Sequence, residues 1–402
     1  MNPKKKATPS IGIVLNTVPK YSETFFRNKI KGLQAAGCRV VLFVDYIHVD
    51  DADFDCKVVA GKNFNSGSIK NLWYAFLAVV QSIFVHPKRS YRLLKQNKKD
   101  GIRLKANLKS GILHSFFFKE SVDWLHFGFG MLAVHRENVA AAMHAKMAVS
   151  FRGFDLYLSP LKHPGCYDLL FTKEVQYHVL SQEMKQELQG HQIPVNQIKV
   201  ITPAIDTQFF TTNKRSKPDS VLQLTTVARL HWKKGLEYTL EALAILKKKG
   251  IAFQYTIIGT GEEQERLVFA AHQLGIREHI TFAGKQSQSE IKKRLEQTAI
   301  YLQYSIQEGF CNAVLEAQAL GVLCIVSNAE GLAENVLDTT TGWVLPKRKP
   351  EALATKIEMV HTLPEEEKQK ISKAAIARVQ QNFGLKQQQE AFAHFYGVNK
   401  EI

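Results

Sequence analysis

Two glutamates, Glu308 and Glu316, lie eight positions apart in the stretch SIQEGFCNAVLEAQALG, Ser305 to Gly321. Carboxylates so placed either share one proton-transfer step or hold two different groups. A helix over that whole span would set their Cα atoms ~12 Å apart along the axis and about 80° out of phase. Carboxyl pairs that work across a single bond stand roughly 5–9.5 Å apart. The spacing therefore favours two separate acceptors for the hydroxyls of one long ligand. Two solvent-facing helix glutamates remain the alternative, which the intervening Phe, Cys, Ala, Val and Leu residues weaken. Gly309 suits a turn and Asn312 an N-cap, with a helix running to Leu320. The first amides of that helix, at Phe310, Cys311 and Asn312, would face an anion or a hydroxyl-rich ligand.

A cationic pair stands upstream, in VARLHWKKG: Arg229 just past an apolar run, then Lys234, then Gly235. A guanidinium and an ammonium there can hold a diphosphate through charge-assisted hydrogen bonds. In IIGTGEE, Gly259 and Gly261 permit a close backbone approach to a ligand. The third glycine of a nicotinamide fingerprint is missing. In GLAENVLDTTTGWVLP, Gly331 precedes a short helix carrying Glu334, and Gly342 suits a turn; alone these carry only loop chemistry.

The elements that must position these groups alternate. VLQLTTVARL, AFQYTIIGTG, HITFAGK, AIYLQYS and VLCIVSN read as strands. Helical spacing separates them, as in GLEYTLEALAILKKKG with its Lys-rich last turn and Gly250 stop. The first half repeats the pattern in SIGIVLN, ETFFRNKIKGLQAAG, CRVVLFV, VDWLHFG, a helix through LAVHRENVAAAMHA, KMAVSF and QIKVITPAI. Such alternation predicts an α/β protein of two Rossmann-like, doubly wound domains facing across a cleft. The boundaries read as 1–205, a linker near TTNKRSKPDS, 211–375, and a C-terminal helix over 376–402 that crosses back to the first domain.

The bulk numbers are compatible with this. The chain has 402 residues, 45% of them hydrophobic and 22% charged, which excludes disorder as the organising state. Five scattered cysteines without C-x-x-C spacing argue against a disulfide framework or a zinc site. The N-terminus reads as a buried strand, not a signal peptide, and no apolar run approaches the ~20 residues of a membrane span. Net charge is +16 and uneven: residues 1–205 hold 28 Lys+Arg against 15 Asp+Glu, the rest 25 against 22. Within 70–119, eleven basic residues face one acid, Asp100, and bulky apolar residues are interleaved. That insertion reads either as a helix pair with a solvated basic face or as a contact for an anionic membrane surface. No nucleic-acid recognition motif accompanies the charge.

The order VARLHWKKG, IIGTGEE, EGFCNAVLEA, SNAEGLAENV, TGWVLP resembles the donor half of glycosyltransferase family four, retaining enzymes of the GT-B fold. YSETFFRNKI resembles the S-E-T-F-I helix start of a polysaccharide-biosynthesis subgroup. LHFGF, SFRGFDL and PAIDTQFF fall where that subgroup carries its own signatures. The departures are a single histidine in Leu125–His126–Phe127, Arg152 for a usual His, Ala204 for a usual Gly and Ala333 for a usual Pro.

The resemblance implies a hexosyltransferase that moves a sugar from a UDP- or GDP-sugar to a glycan or lipid-linked acceptor. It implies no cofactor and no metal, no nucleic-acid partner, and a cytoplasmic location at the inner face of the plasma membrane. Arg229 and Lys234 would bind the diphosphate. Glu316 would accept from the ribose hydroxyls; Glu308, Gly309 and the amides beside them would hold the sugar, with Gly259 and Gly261 lining the donor. His126 would reach the donor sugar from the first domain. Ser22, Glu23, Thr24, Arg152 and Asp155 would lie on the acceptor or phosphate side. Another GT-B enzyme, a sugar-nucleotide epimerase or phosphorylase, and a basic non-enzymatic binding module are the alternative readings.

Overall fold

Among the residues that the computed structural model describes (8–19, 24–47, 55–61, 76, 80, 86–211 and 221–398), thirteen strands form two all-parallel sheets. The first contains β1 (Ser10–Leu15), β2 (Arg39–Val44), β3 (Lys57–Ala60), β4 (Trp124–Phe127), β5 (Lys146–Ser150), β6 (Val175–Val179) and β7 (Ile198–Val200), in spatial order 3-2-1-4-5-6-7. The second contains β8 (Leu222–Val227), β9 (Phe253–Ile258), β10 (Ile280–Gly284), β11 (Ile300–Gln303), β12 (Leu323–Ser327) and β13 (Trp343–Leu345), in order 10-9-8-11-12-13. Strands covered by helices on both faces are apolar throughout. Accordingly β12, LCIVS, is buried along its whole length, as is β1 after its first residue.

Each sheet reverses its strand order once, between β1 and β4 in the first and between β8 and β11 in the second. Chains leaving neighbouring strands there diverge to opposite faces, which opens a crevice at the strands' carboxyl ends. The residues picked out by chemistry in the second half leave β8, β9 and β11, around that reversal.

Two compact units result. One comprises residues 1–179, 185–201 and 389–402; the other 180–184 and 202–388. The return to the first unit thus begins at Gln389, later than position 376, because the helix Glu365–Asn382 stays with the second. The second core packs Leu224, Tyr255, Ile257, Leu302 and Ile325 from the strands against Leu240, Leu243 and Ile357.

Local chemistry sets the helix ends. Ser287 Oγ accepts from the Glu290 amide while Glu290 returns a carboxylate to the Ser287 amide, a capping box that starts the helix Gln288–Glu296. The helix Leu236–Lys248 ends on two lysines, with Gly250 at φ +76°.

The span LAVHRENVAAAMHA, expected as one helix, forms two short ones, Gly130–Ala133 and Val139–Ala142. His135, at φ +66°, breaks it. The basic insertion folds in its described part as the helices Pro87–Lys99 and Leu104–Leu113, then a 3-10 turn, Ser115–Lys119. No helix among the described residues is long and apolar enough to cross a membrane.

Candidate active site

In the second unit Arg229 follows β8 by two residues and is exposed. The chain then makes a 3-10 turn, Trp232–Lys234, and passes through Gly235 at φ +59° into the helix Leu236–Lys248. Lys234 forms an ion pair with Glu308, which lies beyond β11; the two side chains are 14% and 13% exposed. Burial alone would lower the Lys234 pKa, but the Glu308 carboxylate outweighs it and leaves the ammonium above its ordinary value. Arg229 lies close enough for its charge to act on Lys234. The structure therefore gathers Arg229, Lys234 and Glu308, from two strand ends flanking the sheet reversal.

Gly259 and Gly261 serve this corner differently from the expectation. A Cβ on Gly259, at φ +138°, would lie 1.9 Å from the Ala228 carbonyl oxygen. One on Gly261 would lie 2.1 Å from that of Leu230. The close approach they permit is to the backbone on either side of Arg229, so the β9 loop holds Arg229 in place.

The stretch after β11 is fastened from below. Ser327 Oγ donates to the Ser305 carbonyl at 2.5 Å. Asn335 Oδ1 accepts from the Cys311 amide at 3.0 Å, and Asn335 Nδ2 donates back to the Cys311 carbonyl at 2.9 Å. Two expectations are corrected here. Cys311, not Asn312, is the N-cap of the helix Asn312–Ala319. Its amide is already taken by Asn335. Burial, with Glu308 beside it, pushes the Cys311 thiol up to about 12, so it is an inert thiol.

Glu316 sits half-buried in the same helix, and loss of hydration raises its carboxyl to about 7. Gln307, beside Glu308, is 7% exposed, and neither atom of its carboxamide has a hydrogen-bond partner among the described residues. Glu334, expected on a short helix after Gly331, ends the 3-10 turn Glu330–Glu334 and accepts from the Gln182 and Glu183 amides at 3.0 and 2.9 Å.

The first-unit candidates form a separate group. His126, in β4, is fully buried and both ring nitrogens are engaged. His178 Nε2 lies 3.0 Å from the Ile201 carbonyl, which can only accept, so that nitrogen carries a proton. His178 Nδ1 then accepts from Ser150 Oγ at 2.7 Å, Ser150 accepts from His126 Nε2 at 2.7 Å, and His126 Nδ1 accepts from the Tyr396 hydroxyl at 2.5 Å. The chain of bonds joins β4, β5 and β6 to the C-terminal segment. Lys29 Nζ lies 3.4 Å from both His126 nitrogens and 4.2 Å from the Phe392 ring centre. Burial first, then mutual repulsion among these groups and Arg152, holds the pKa values of Lys29, His126 and His178 well below their usual ranges. The expected donor-facing imidazole is here a neutral core histidine.

Asp155 is likewise structural. It accepts from the Gly130 amide at 2.7 Å and from the Arg152 amide, capping the short helix Gly153–Tyr157. Burial raises its carboxyl to about 6. The Arg152 guanidinium stacks 4.0 Å from the Phe25 ring centre. Thr24 opens the helix Thr24–Ala35, while Ser22 and Glu23 lie outside the described residues.

Sequence reasoning passed over Gln307, Asn335, Glu330 and Lys347. Asn335 alone carried a signal, as a polar residue in the otherwise apolar stretch after Glu334.

Two Rossmann-like units, with a partly buried cation–carboxylate pair at the strand-order reversal of the second, give the chain the GT-B fold. Residues 207–378 match the family described as Glycosyl transferases group 1. It is 28% identical over 245 residues to the amylovoran biosynthesis glycosyltransferase AmsK of Erwinia amylovora, covering 59% of this chain and 60% of the relative. It is 25% identical over 395 residues to the putative colanic acid biosynthesis glycosyltransferase WcaL of Escherichia coli K12, covering 93% and 96%. Among solved structures, a glycosyltransferase from Rickettsia africae superposes with a TM-score of 0.71 at 20% identity, covering 99% of this chain and all of that one. HepE from Anabaena, in complex with UDP and glucose, superposes with a TM-score of 0.70 at 14% identity, covering 96% and 99%.

Proposed function

We propose that the protein transfers a hexose, with retention of configuration, from a nucleotide-diphosphate sugar to a glycan or lipid-linked acceptor in polysaccharide biosynthesis. The observation that carries this is the Lys234–Glu308 pair beside Arg229 at the reversal of the second sheet. The names of the relatives in amylovoran and colanic acid biosynthesis support the polysaccharide assignment, and UDP in HepE supports a nucleotide donor.

In this reading the leaving diphosphate takes Lys234 from Glu308, and Glu308 turns to the sugar hydroxyls. Breaking the sugar–phosphate bond builds negative charge on the departing oxygen. Arg229 and Lys234 interact more strongly with it as the charge grows, which lowers the barrier rather than merely binding substrate. The raised pKa keeps Lys234 cationic throughout the neutral range. Glu316, once ionised, accepts from the ribose hydroxyls. The acceptor attacks on the face the diphosphate leaves, and a phosphate oxygen takes its proton. His126 supports the first unit from within.

An anionic membrane surface as partner belongs to the same reading. The helix Pro87–Lys99 turns Lys88, Tyr91, Lys95, Lys98 and Lys99 outward, and Leu104 and Leu108 on the next helix are 73% and 51% exposed. Asp100, the single acid of the insertion, is neutralised by Lys173 at 2.6 Å.

The test uses Arg229→Ala, which removes an exposed side chain, and Glu308→Ala. Sugar nucleotides are screened with the wild type by release of UDP or GDP in the presence of membrane extract. Each variant should lose at least about a hundredfold in transfer, with an unchanged far-UV spectrum. Full transfer by Arg229→Ala would refute the assignment.

A further inference from the structure

Glu330 opens the turn after β12 with φ +27°, a left-handed backbone that residues other than glycine rarely adopt. Its side chain is 17% exposed and its carboxylate is divided between two partners. Oε2 accepts from the main-chain N–H of Glu308 at 3.0 Å, and Oε1 accepts from Lys347 Nζ at 3.0 Å. Lys347 is itself set in place, its amide donating to Asn328 Oδ1 at 2.9 Å. The next residue, Gly331, touches the same stretch: a Cβ there would lie 1.9 Å from the Gly309 carbonyl oxygen.

A glycine at 330 would adopt this backbone without strain. It would also leave the Glu308 amide without its acceptor. A strained residue persists where its surroundings over-determine it, and such residues cluster where geometry matters to function. Here the surroundings are Lys347 on one side and the Glu308–Gly309 backbone on the other. The polar contact that the strained glutamate makes is to the main chain of the carboxylate already paired with Lys234.

We propose that Glu330, anchored by Lys347, is a positioning residue of the transfer reaction. It fixes the main chain of Glu308, and through it the place of the Glu308 carboxylate relative to Lys234 and the donor sugar. The inference rests on the reading of Glu308 as the sugar-holding carboxylate. A merely structural turn would affect the whole donor alike; a brace on Glu308 affects the sugar and spares the nucleotide.

The test compares Glu330→Ala, Glu330→Gln, Lys347→Met and the double variant Glu330→Ala/Lys347→Met in the full chain. Amide hydrogen exchange is read on peptides spanning residues 303–311. Affinities are read by titration calorimetry with UDP, UDP-glucose, GDP and GDP-mannose. In Glu330→Ala the Glu308 amide should exchange about tenfold faster or more, while the helix Leu236–Lys248 keeps its protection. The affinity ratio of sugar nucleotide to nucleoside diphosphate should fall about tenfold, with nucleoside diphosphate binding held within about twofold. Glu330→Gln, which keeps an acceptor, should recover most of both effects. Lys347→Met should act in the same direction and add nothing to Glu330→Ala.

Unchanged exchange at Glu308 in Glu330→Ala would overturn the proposal, as would equal weakening of both ligand classes. If Glu308→Ala leaves the affinity ratio unaltered, the role given to Glu308 fails instead; the exchange measurement still reports on the brace.

Discussion

Glu316 offers a stability effect and a binding effect of opposite sign in one substitution. Its carboxyl is raised from 4.5 to about 7 by loss of hydration. A folded-state pKa above the unfolded value means the fold prefers the neutral form. Its contribution to stability is full below pH ~4.5, declines as pH rises to about 7, and is constant beyond. At roughly 1.4 kcal/mol per pH unit, ionising Glu316 destabilises the fold by ~3 kcal/mol at pH 8. Glu316→Gln keeps the shape and removes the ionisation. For a unit of about 200 residues, roughly 2–4 °C per kcal/mol places the variant's melt some 6–12 °C above wild type at about pH 8. Near pH 5 the two melts should nearly coincide.

Nucleotide binding should move the other way. In the proposed mode of donor binding, a neutral amide replaces a carboxylate that would accept charge-assisted hydrogen bonds from ribose hydroxyls. Their loss is worth about 1.5–3 kcal/mol, roughly 10- to 150-fold in affinity for UDP or GDP. Wild-type affinity should rise with pH through about 7, and that rise should vanish in the variant. Scanning calorimetry and isothermal titration at fixed ionic strength between about pH 5 and 8 read both effects. Melts that stay parallel across pH would refute the burial argument. Undiminished nucleotide binding by the variant would refute the role given to the carboxylate.

Two further outcomes follow from the first unit. Tyr396→Phe removes the short hydrogen bond to His126 Nδ1 and leaves that buried nitrogen only the longer contact with Lys29, so the unit should lose about 1–3 kcal/mol in urea unfolding while UDP or GDP binding is unchanged; equal stability would mean the bond chain does not hold the C-terminal segment. Changing Lys88, Lys95, Lys98 and Lys99 together to Gln should weaken partition onto phosphatidylglycerol-containing vesicles on the order of a thousandfold, at about 1 kcal/mol per charge; wild type that ignores anionic vesicles would end the membrane reading.

The alternation of strands and helices was legible because fully covered parallel strands are continuous apolar runs, and β8, β9, β11 and β12 all read that way. Arg229, Lys234, Glu308 and Glu316 were legible because charged residues directly after such runs, or inside an apolar helix, need partners. The missed pieces are of another kind. Glu330 and Lys347 look like ordinary surface residues in SNAEGLAE and LPKRKP, and neither periodicity nor spacing tells of a bond to the Glu308 amide. The two short helices after β4 were misread because Ala-rich helical spacing hides a single left-handed residue, His135.

Local sequence thus determined which residues can bear charge or accept hydroxyls, since side-chain type and hydrophobic period act within one element. Which of them meet was decided by the fold. Lys234 and Glu308 are separated in sequence by three strands, β9, β10 and β11, and are joined because β8 and β11 are neighbours at the reversal of strand order. His126 lies in a strand end that looked open to a ligand, yet β5, β6 and the C-terminal segment close over it. Burial and pairing depend on elements far apart in the chain, so only the tertiary structure could separate a cation paired with a carboxylate at the strand-order reversal from a histidine bonded into the core.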